Sequence, residues 1–220
     1  IEKGASIIFT EKNIINSKVL IKKVENARQA LGDLCNRFYN YPSENLKIIG
    51  VTGTNGKTTI THLIYHMLKS QGISTGLIGS LNVKINDKEY KTKLTTPDAE
   101  ILYAYLNKMV KEKVEVVVME VSSHGLKNHR VWGINYDIAV HSNIERDHLN
   151  FHKTLEDYIL SKKKLFDNLA HGKIGIINLD DTQSFRLLED NQHILVVTYG
   201  LNGKASITAS SIDMDFTTSF

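Results

Sequence analysis

The segment "TGTNGKTT", Thr52 to Thr59, holds the residue types that handle phosphate. Gly53 and Gly56 let backbone N–H groups approach phosphate oxygens without a Cβ in the way. Lys57 supplies a point charge, and Thr58 offers a hydroxyl to Mg²⁺ at a helix N-terminus. The general phosphate-loop spacing is not met, because Gly50 and Gly56 are separated by five residues and Gly53 and Gly56 by two. What sets the segment apart from an ordinary glycine turn is its company: an apolar strand before it, Gly-Lys-Thr within it and a helical pattern after it.

Three further residues could work with such a loop. Glu120 follows a buried-strand pattern, where a carboxylate can bind Mg²⁺ through its oxygens; the alternative is a solvated glutamate at a helix start. In "HSNIERDHLNFH", His148 and His152 stand four residues apart, which fits a metal pair on one helix or two packed histidines, and spacing does not choose between them. Lys162 lies within the apolar stripe formed by Leu155, Tyr158, Ile159, Leu165, Phe166 and Leu169, while Lys163 and Lys164 point elsewhere. Burial favours the neutral amine, which can add CO₂ and give a carbamate that binds metal as a carboxylate does. The alternative is a lysine that snorkels to the surface.

The elements that must position these groups alternate. Apolar runs at Leu46–Val51, Thr75–Ile78, Val114–Met119, Tyr136–Val140, Ile174–Ile177 and Ile194–Val197 read as strands. Helical patterns fall at Thr58–Ser70, Asp98–Glu112, Leu155–Ala170 and Thr182–Glu189. A β-α-β-α order predicts an α/β fold with a doubly wound, mostly parallel sheet, its ligands at the carboxyl ends of the strands. Upstream, Ile7–Phe9 reads as a strand, Ala27–Tyr39 as a helix and "YNYPSEN" as a linker. Both ends read as cut, since the chain starts at Ile1 and stops at Phe220 inside the alternating pattern "ASITASSIDMDFTTSF".

With 27 basic and 24 acidic residues well mixed, no basic tract argues for nucleic acid or a membrane surface. The one cysteine, Cys35, cannot form an internal disulfide, and no stretch reads as a membrane span or signal peptide, so a cytoplasmic protein with small-molecule partners is expected.

Taken together, "GVTGTNGKTT", "LTTPDA", "MEVSSHGLKNHR", "SNIERDHLNFH", "DYILSKKKLF" and "INLDD" resemble the Mur ligase family in order and spacing. Within it, "EVSSHGL" with "TTP" looks most like the type that makes the UDP-N-acetylmuramoyl-tripeptide. The resemblance implies that residues 1–45 are the end of a UDP-binding domain with its linker and 46–220 most of a central ATP-binding domain, a third domain being absent. It implies an ATP- and Mg²⁺-dependent ligase, expected as a monomer. This enzyme adds a third amino acid to UDP-N-acetylmuramoyl-L-alanyl-D-glutamate through an acyl phosphate in peptidoglycan synthesis, with the amino acid open between diaminopimelate, lysine and others.

The resemblance also implies roles. Gly53, Thr54, Asn55, Gly56, Lys57, Thr58 and Thr59 would hold the ATP phosphates and Asn178 would lie near the adenine. Thr58 and Glu120 would hold one Mg²⁺, and Glu120, His148 and a carbamylated Lys162 a second. Thr95, Thr96, Ser122, Asn128 and Arg130 would contact the muramoyl peptide, although Asn128 stands where some members have glutamine. Thr96 also reads as N-cap of a helix starting at Pro97. Thr58-Thr59 after the loop lysine, where folate-type members usually have Gly-Ser, and "EVSSHGL" favour this type over the alternatives in the wider family, folylpolyglutamate or cyanophycin synthetases. The chain as it stands could also act as a nucleotide-binding module without ligase activity.

Overall fold

Two short strands, β1 (Ile7–Thr10) and β2 (Leu20–Lys23), pair in parallel ahead of helix α1 (Ala27–Phe38), in a computed structural model that describes residues 4–15, 19–201 and 203–209. The main sheet begins at β3 (Lys47–Thr52) and continues through β4 (Thr75–Ile78), β5 (Val83–Ile85), β6 (Lys88–Tyr90), β7 (Val116–Glu120), β8 (Ile138–His141), β9 (Ile174–Asn178), β10 (Leu195–Gly200) and β11 (Ile207–Thr208). Helices α2 (Lys57–Ser70), α3 (Ala99–Lys111), α4 (Ser123–Lys127), α5 (Leu149–His152) and α6 (Leu155–Asp167) connect them.

The spatial order is β11-β10-β9-β8-β3-β7-β4-β5-β6, parallel from β11 to β4, with β5 and β6 added antiparallel at one edge. This is the doubly wound sheet expected from the alternation of patterns. Both faces are covered, which is why β3 and β7 read as continuous apolar runs. Val51, Leu77, Val118 and Val140 pack under Tyr65 of α2, while Ile48, Val117, Met119 and Ala139 share a core with Leu102 and Met109 of α3 and Ile159, Leu165 and Phe166 of α6. The chain leaves β3 for β4 on one side and later returns to β8 on the other. The crevice beyond the carboxyl ends of β7, β3 and β8 is therefore the switch point at which such sheets bind ligands.

Three expectations change. The helix expected at Thr182–Glu189 is only a 3₁₀ turn, Ser184–Leu187. The Asp181 carboxylate accepts from the N–H of Gln183 (2.9 Å) and of Ile144 (2.7 Å), which holds the entry as an Asx turn. Asp98, not Thr96, occupies the N-cap of α3, because the Thr96 hydroxyl is committed to β7. Pro42 and Ser43, in the stretch read as a linker, are buried in a 3₁₀ turn, Pro42–Asn45. Within the described part of the alternating pattern near Phe220, Ile207–Thr208 forms a strand; residues 210–220 lie outside the described residues. Among the described residues, no helix is long and apolar enough to cross a membrane.

Candidate active site

The phosphate loop leaves β3 at Thr52 and enters α2 at Lys57. Gly53 has φ +152°, and a Cβ there would stand 1.8 Å from the Ser142 hydroxyl oxygen, so only glycine fits. Gly56 caps α2 at φ +83° with no side chain occupying the cap, which leaves the first-turn N–H groups facing the crevice for an anion. The loop after β8 laces the phosphate loop in place. Thr54 N–H donates to Asn143 O (2.7 Å), Asn55 N–H to Asn143 Oδ1 (3.0 Å), Ser142 Oγ to Asn55 O (2.6 Å), and Glu145 N–H to Thr54 Oγ1 (2.9 Å).

Two lysines converge on this loop. Lys57 Nζ donates to Gly53 O (2.9 Å) and Thr54 O (2.8 Å), and Lys162 Nζ donates to Gly53 O (2.7 Å). Lys162 is 1% exposed, which removes the snorkelling alternative. Burial, and then the neighbouring charge of Lys57, hold the Lys162 amine well below the ordinary lysine range; burial also lowers Lys57.

Glu120 ends β7 fully buried, so the solvated-glutamate alternative fails. Its Oε1 accepts from Ser80 N–H (2.7 Å), and its Oε2 lies 3.0 Å from both the Ser80 and Thr58 hydroxyls. Among the described residues no cationic side chain pairs with it within 4.0 Å. A buried carboxylate held by neutral donors beside the first turn of α2 suits a divalent cation, whose charge offsets the cost of burial.

The two histidines separate in role. His148 sits at the N-cap of α5 with φ +52° and a half-exposed side chain, its Nε2 3.4 Å from Asp147. His152 is fully buried, with Nε2 2.9 Å from Ser123 Oγ and Nδ1 3.4 Å from Ser161 Oγ, so the pair is not a chelate on one helix. The rings of His148 and Tyr158 are 6.4 Å apart, and Lys162 Nζ stands 4.4 Å from the centre of that same tyrosine. Among the described residues, no three His, Cys, Asp or Glu side chains come together as a metal-ready group.

Burial pushes His152 down to about 4, whereas a free imidazole ionises near 6.5. Between these values the unfolded chain takes up a proton that the folded one refuses. Stability is therefore full above about 6.5 and falls as pH drops toward 4. In thermal melts across that window, His152→Gln should show a shallower loss of Tm than the wild type, and parallel curves would contradict this.

The residues expected to face the second substrate form a connected layer. Ser80 Oγ is 3.0 Å from Thr95 Oγ1, linking Thr95 to Glu120. Thr96 Oγ1 donates to Glu120 O (3.0 Å) and accepts from Ser122 N–H (3.0 Å), and Ser122 caps α4 by accepting from Gly125 N–H (3.1 Å). Arg130 donates from Nη1 to Thr96 O (3.2 Å), and its Nε lies 2.8 Å from Asp98 Oδ1. With Asn128, Arg28 and His129 it lines a recess of about 410 Å³. Asn178 donates to Ser142 O (2.8 Å) and accepts from Asp180 N–H (3.0 Å), so its amide braces the loop after β8. A recess of about 350 Å³ beside Tyr136, Asp137 and Lys173 lies at the opposite ends of the strands and shares nothing with this network.

Ser80, Ser142 and the Tyr158 hydroxyl also belong to the site, although nothing in the residue pattern singles them out. The usable signal was position: Ser80 follows β4 and Ser142 follows β8, both just past carboxyl ends, as Gly53 follows β3 and Glu120 ends β7.

Fold and site together define an α/β domain with a modified phosphate loop and a carboxylate facing it. Residues 51–220 match the Mur ligase middle domain, and the chain belongs to the Mur ligase family. It is 43% identical over 222 residues to the UDP-N-acetylmuramoyl-L-alanyl-D-glutamate–2,6-diaminopimelate ligase of Lactiplantibacillus plantarum, covering 97% of this chain and 44% of that protein. A solved structure of a ligase of the same name superposes with a TM-score of 0.80 at 32% identity, over 93% of this chain and 42% of that one. The Thermotoga maritima MurF ligase, solved in complex with ADP, shares the fold at a TM-score of 0.55 and 21% identity, over 92% and 43% of the two chains. The chain thus spans less than half the length of the relatives it matches.

Proposed function

We propose that the protein containing this chain is an ATP-dependent ligase that joins an amino acid, 2,6-diaminopimelate, to UDP-N-acetylmuramoyl-L-alanyl-D-glutamate in the cytoplasm, for cell-wall peptidoglycan. The observation that carries this is the buried Glu120 carboxylate 3.0 Å from the Thr58 hydroxyl at the head of the phosphate loop, with Lys57 on the same loop. The names of the relatives support the substrates, and the ADP held by the Thermotoga maritima protein supports the nucleotide.

In this reading the first-turn N–H groups of α2 and Lys57 orient the phosphates, Thr58 and Glu120 hold Mg²⁺, and Asn178 borders the adenine. ATP, when bound, would supply the phosphoryl group that activates the substrate carboxylate as an acyl phosphate with release of ADP, and the amine of the incoming amino acid would then displace phosphate to form the amide. The chain's own task is charge neutralisation and in-line positioning rather than covalent help. His148 and a carbamylated Lys162 would join Glu120 around a second metal position. Thr95, Thr96, Ser122, Asn128 and Arg130 face the muramoyl peptide, and the Ser80 bridge joins that layer to Glu120.

The test is ADP release by the full-length protein, expected only when both the nucleotide-sugar dipeptide and diaminopimelate are supplied. Release driven by folate instead would transfer the protein to the folylpolyglutamate branch, and ATP hydrolysis that joins no amino acid would favour a nucleotide-binding module. In the same assay Arg130→Ala should raise KM for the nucleotide-sugar peptide at least about tenfold while moving KM for ATP little, since a guanidinium suits an anionic substrate. Equal losses for both substrates would remove Arg130 from that role.

A further inference from the structure

Helix α6 touches the phosphate loop twice, from side chains one turn apart. Lys162 Nζ donates to Gly53 O at 2.7 Å, and the Tyr158 hydroxyl lies 3.0 Å from Thr54 Oγ1, on the next residue of the loop. The two gripping side chains also meet each other, with Lys162 Nζ 4.4 Å from the centre of the Tyr158 ring. Tyr158 is 1% exposed and Lys162 equally buried, so neither contact is a surface accident. The spacing is that of helix neighbours at i and i+4, which stack on one face and present their ends to one line of the loop. Thr54 Oγ1 in turn accepts from Glu145 N–H at 2.9 Å, so the phenol joins a hydroxyl that already anchors the loop after β8.

From this geometry we infer that Tyr158 is a positioning residue for nucleotide binding: its ring sets the height of Lys162 above the loop and its hydroxyl fixes Thr54. The inference rests on the reading of this loop as the ATP phosphate site. Tyr158 touches no reacting atom. Its effect is to hold the carbonyls of Gly53 and Thr54, which Lys57 also contacts, in one arrangement, so that the loop N–H groups are presented to phosphate without reordering on binding. An apolar core residue at this point would fill the same space without the loop bond.

The experiment uses the full-length protein and a fluorescent ADP analogue titrated at equilibrium, alongside steady-state kinetics. Tyr158→Phe keeps the ring and deletes the loop bond, so its Kd for the analogue and its KM for ATP should rise about three- to tenfold, the fold-change of one lost hydrogen bond, with kcat within about twofold. Thr54→Val removes the other partner together with the Glu145 N–H bond, and the double variant should be no weaker than Thr54→Val alone, because the tyrosine bond is already gone in that single variant. Tyr158→Leu, which also removes the support under Lys162, should bind the analogue more weakly than Tyr158→Phe. Should it fail to fold, the phenylalanine variant and the cycle still decide. Wild-type affinity in Tyr158→Phe, or fully additive losses in the double variant, would overturn the proposal and leave Tyr158 a core residue. Absence of analogue binding by the wild type would be a different failure, that of the nucleotide reading itself, and the proposal would fall with it.

Discussion

Full-length protein carrying Lys57→Ala should lose ATP turnover by at least about a thousandfold, the scale on which charge stabilisation acts in phosphoryl transfer. The same variant should remain folded. Lys57 spends its donors on two loop carbonyls, Gly53 O and Thr54 O, rather than on core packing, and losing such bonds costs about 1 kcal/mol each. Initial rates of ADP formation together with a thermal melt check the prediction. Near-normal turnover in a folded Lys57→Ala protein would remove the phosphate assignment of the whole loop.

Lys162→Ala in the full-length protein should lose most activity, and acetate should restore part of it by occupying the position of a carboxylate carried on Lys162. The residue is 1% exposed and its amine is held well below the lysine range by burial and by Lys57, the condition under which a neutral amine adds CO₂. Because the truncation also leaves a cavity of several methylenes, Lys162→Met serves as the volume control: it should fold, stay nearly inactive and gain nothing from acetate, for which it leaves no room. Lys163→Ala and Lys164→Ala should keep their activity. Lys163 only pairs with Asp167 at 2.6 Å one turn on, an i,i+4 contact worth a few tenths of a kcal/mol. A ¹³C carbamate resonance from wild type in labelled bicarbonate, absent in Lys162→Met, would report the modification directly. Activity of Lys162→Ala equal to that of the two neighbouring variants would end the carbamate proposal.

The sheet was legible because burial on both faces leaves an unbroken apolar signature. Thr75–Ile78 was bounded to the residue, and β3 to within one at each end. The phosphate loop was legible because glycine, lysine and threonine are each demanded by a separate physical need. What stayed hidden had no such demand. Strands β5 and β6 are three residues each, too short for a period to show, and the turn between them relies on Asn86 at φ +52°. Ser80 is a serine like any other until the fold sets it 3.0 Å from Glu120 Oε2. Thr96 read as a cap because threonine before proline and a helix looks like one, yet its hydroxyl went to Glu120 O and Ser122, a choice made by residues 24 and 26 positions away. His148 and His152 share a spacing and part company through backbone, since a left-handed φ at His148 starts the short helix that turns His152 inward.

The lacing of the phosphate loop has a consequence for how the protein comes into being. Its anchors are remote in sequence: Tyr158 is 104 residues beyond Thr54, and Lys162 is 109 beyond Gly53. Contacts at such separations form late, since the entropy of closing the intervening chain must be met before they contribute anything. A nascent chain displaying "TGTNGKTT" therefore has the signature of a nucleotide loop but not its shape until α6 has been made. At roughly 5–20 residues per second that delay is of the order of 5–20 s, and affinity for nucleotide should switch on with the docking of α6 rather than grow with chain length.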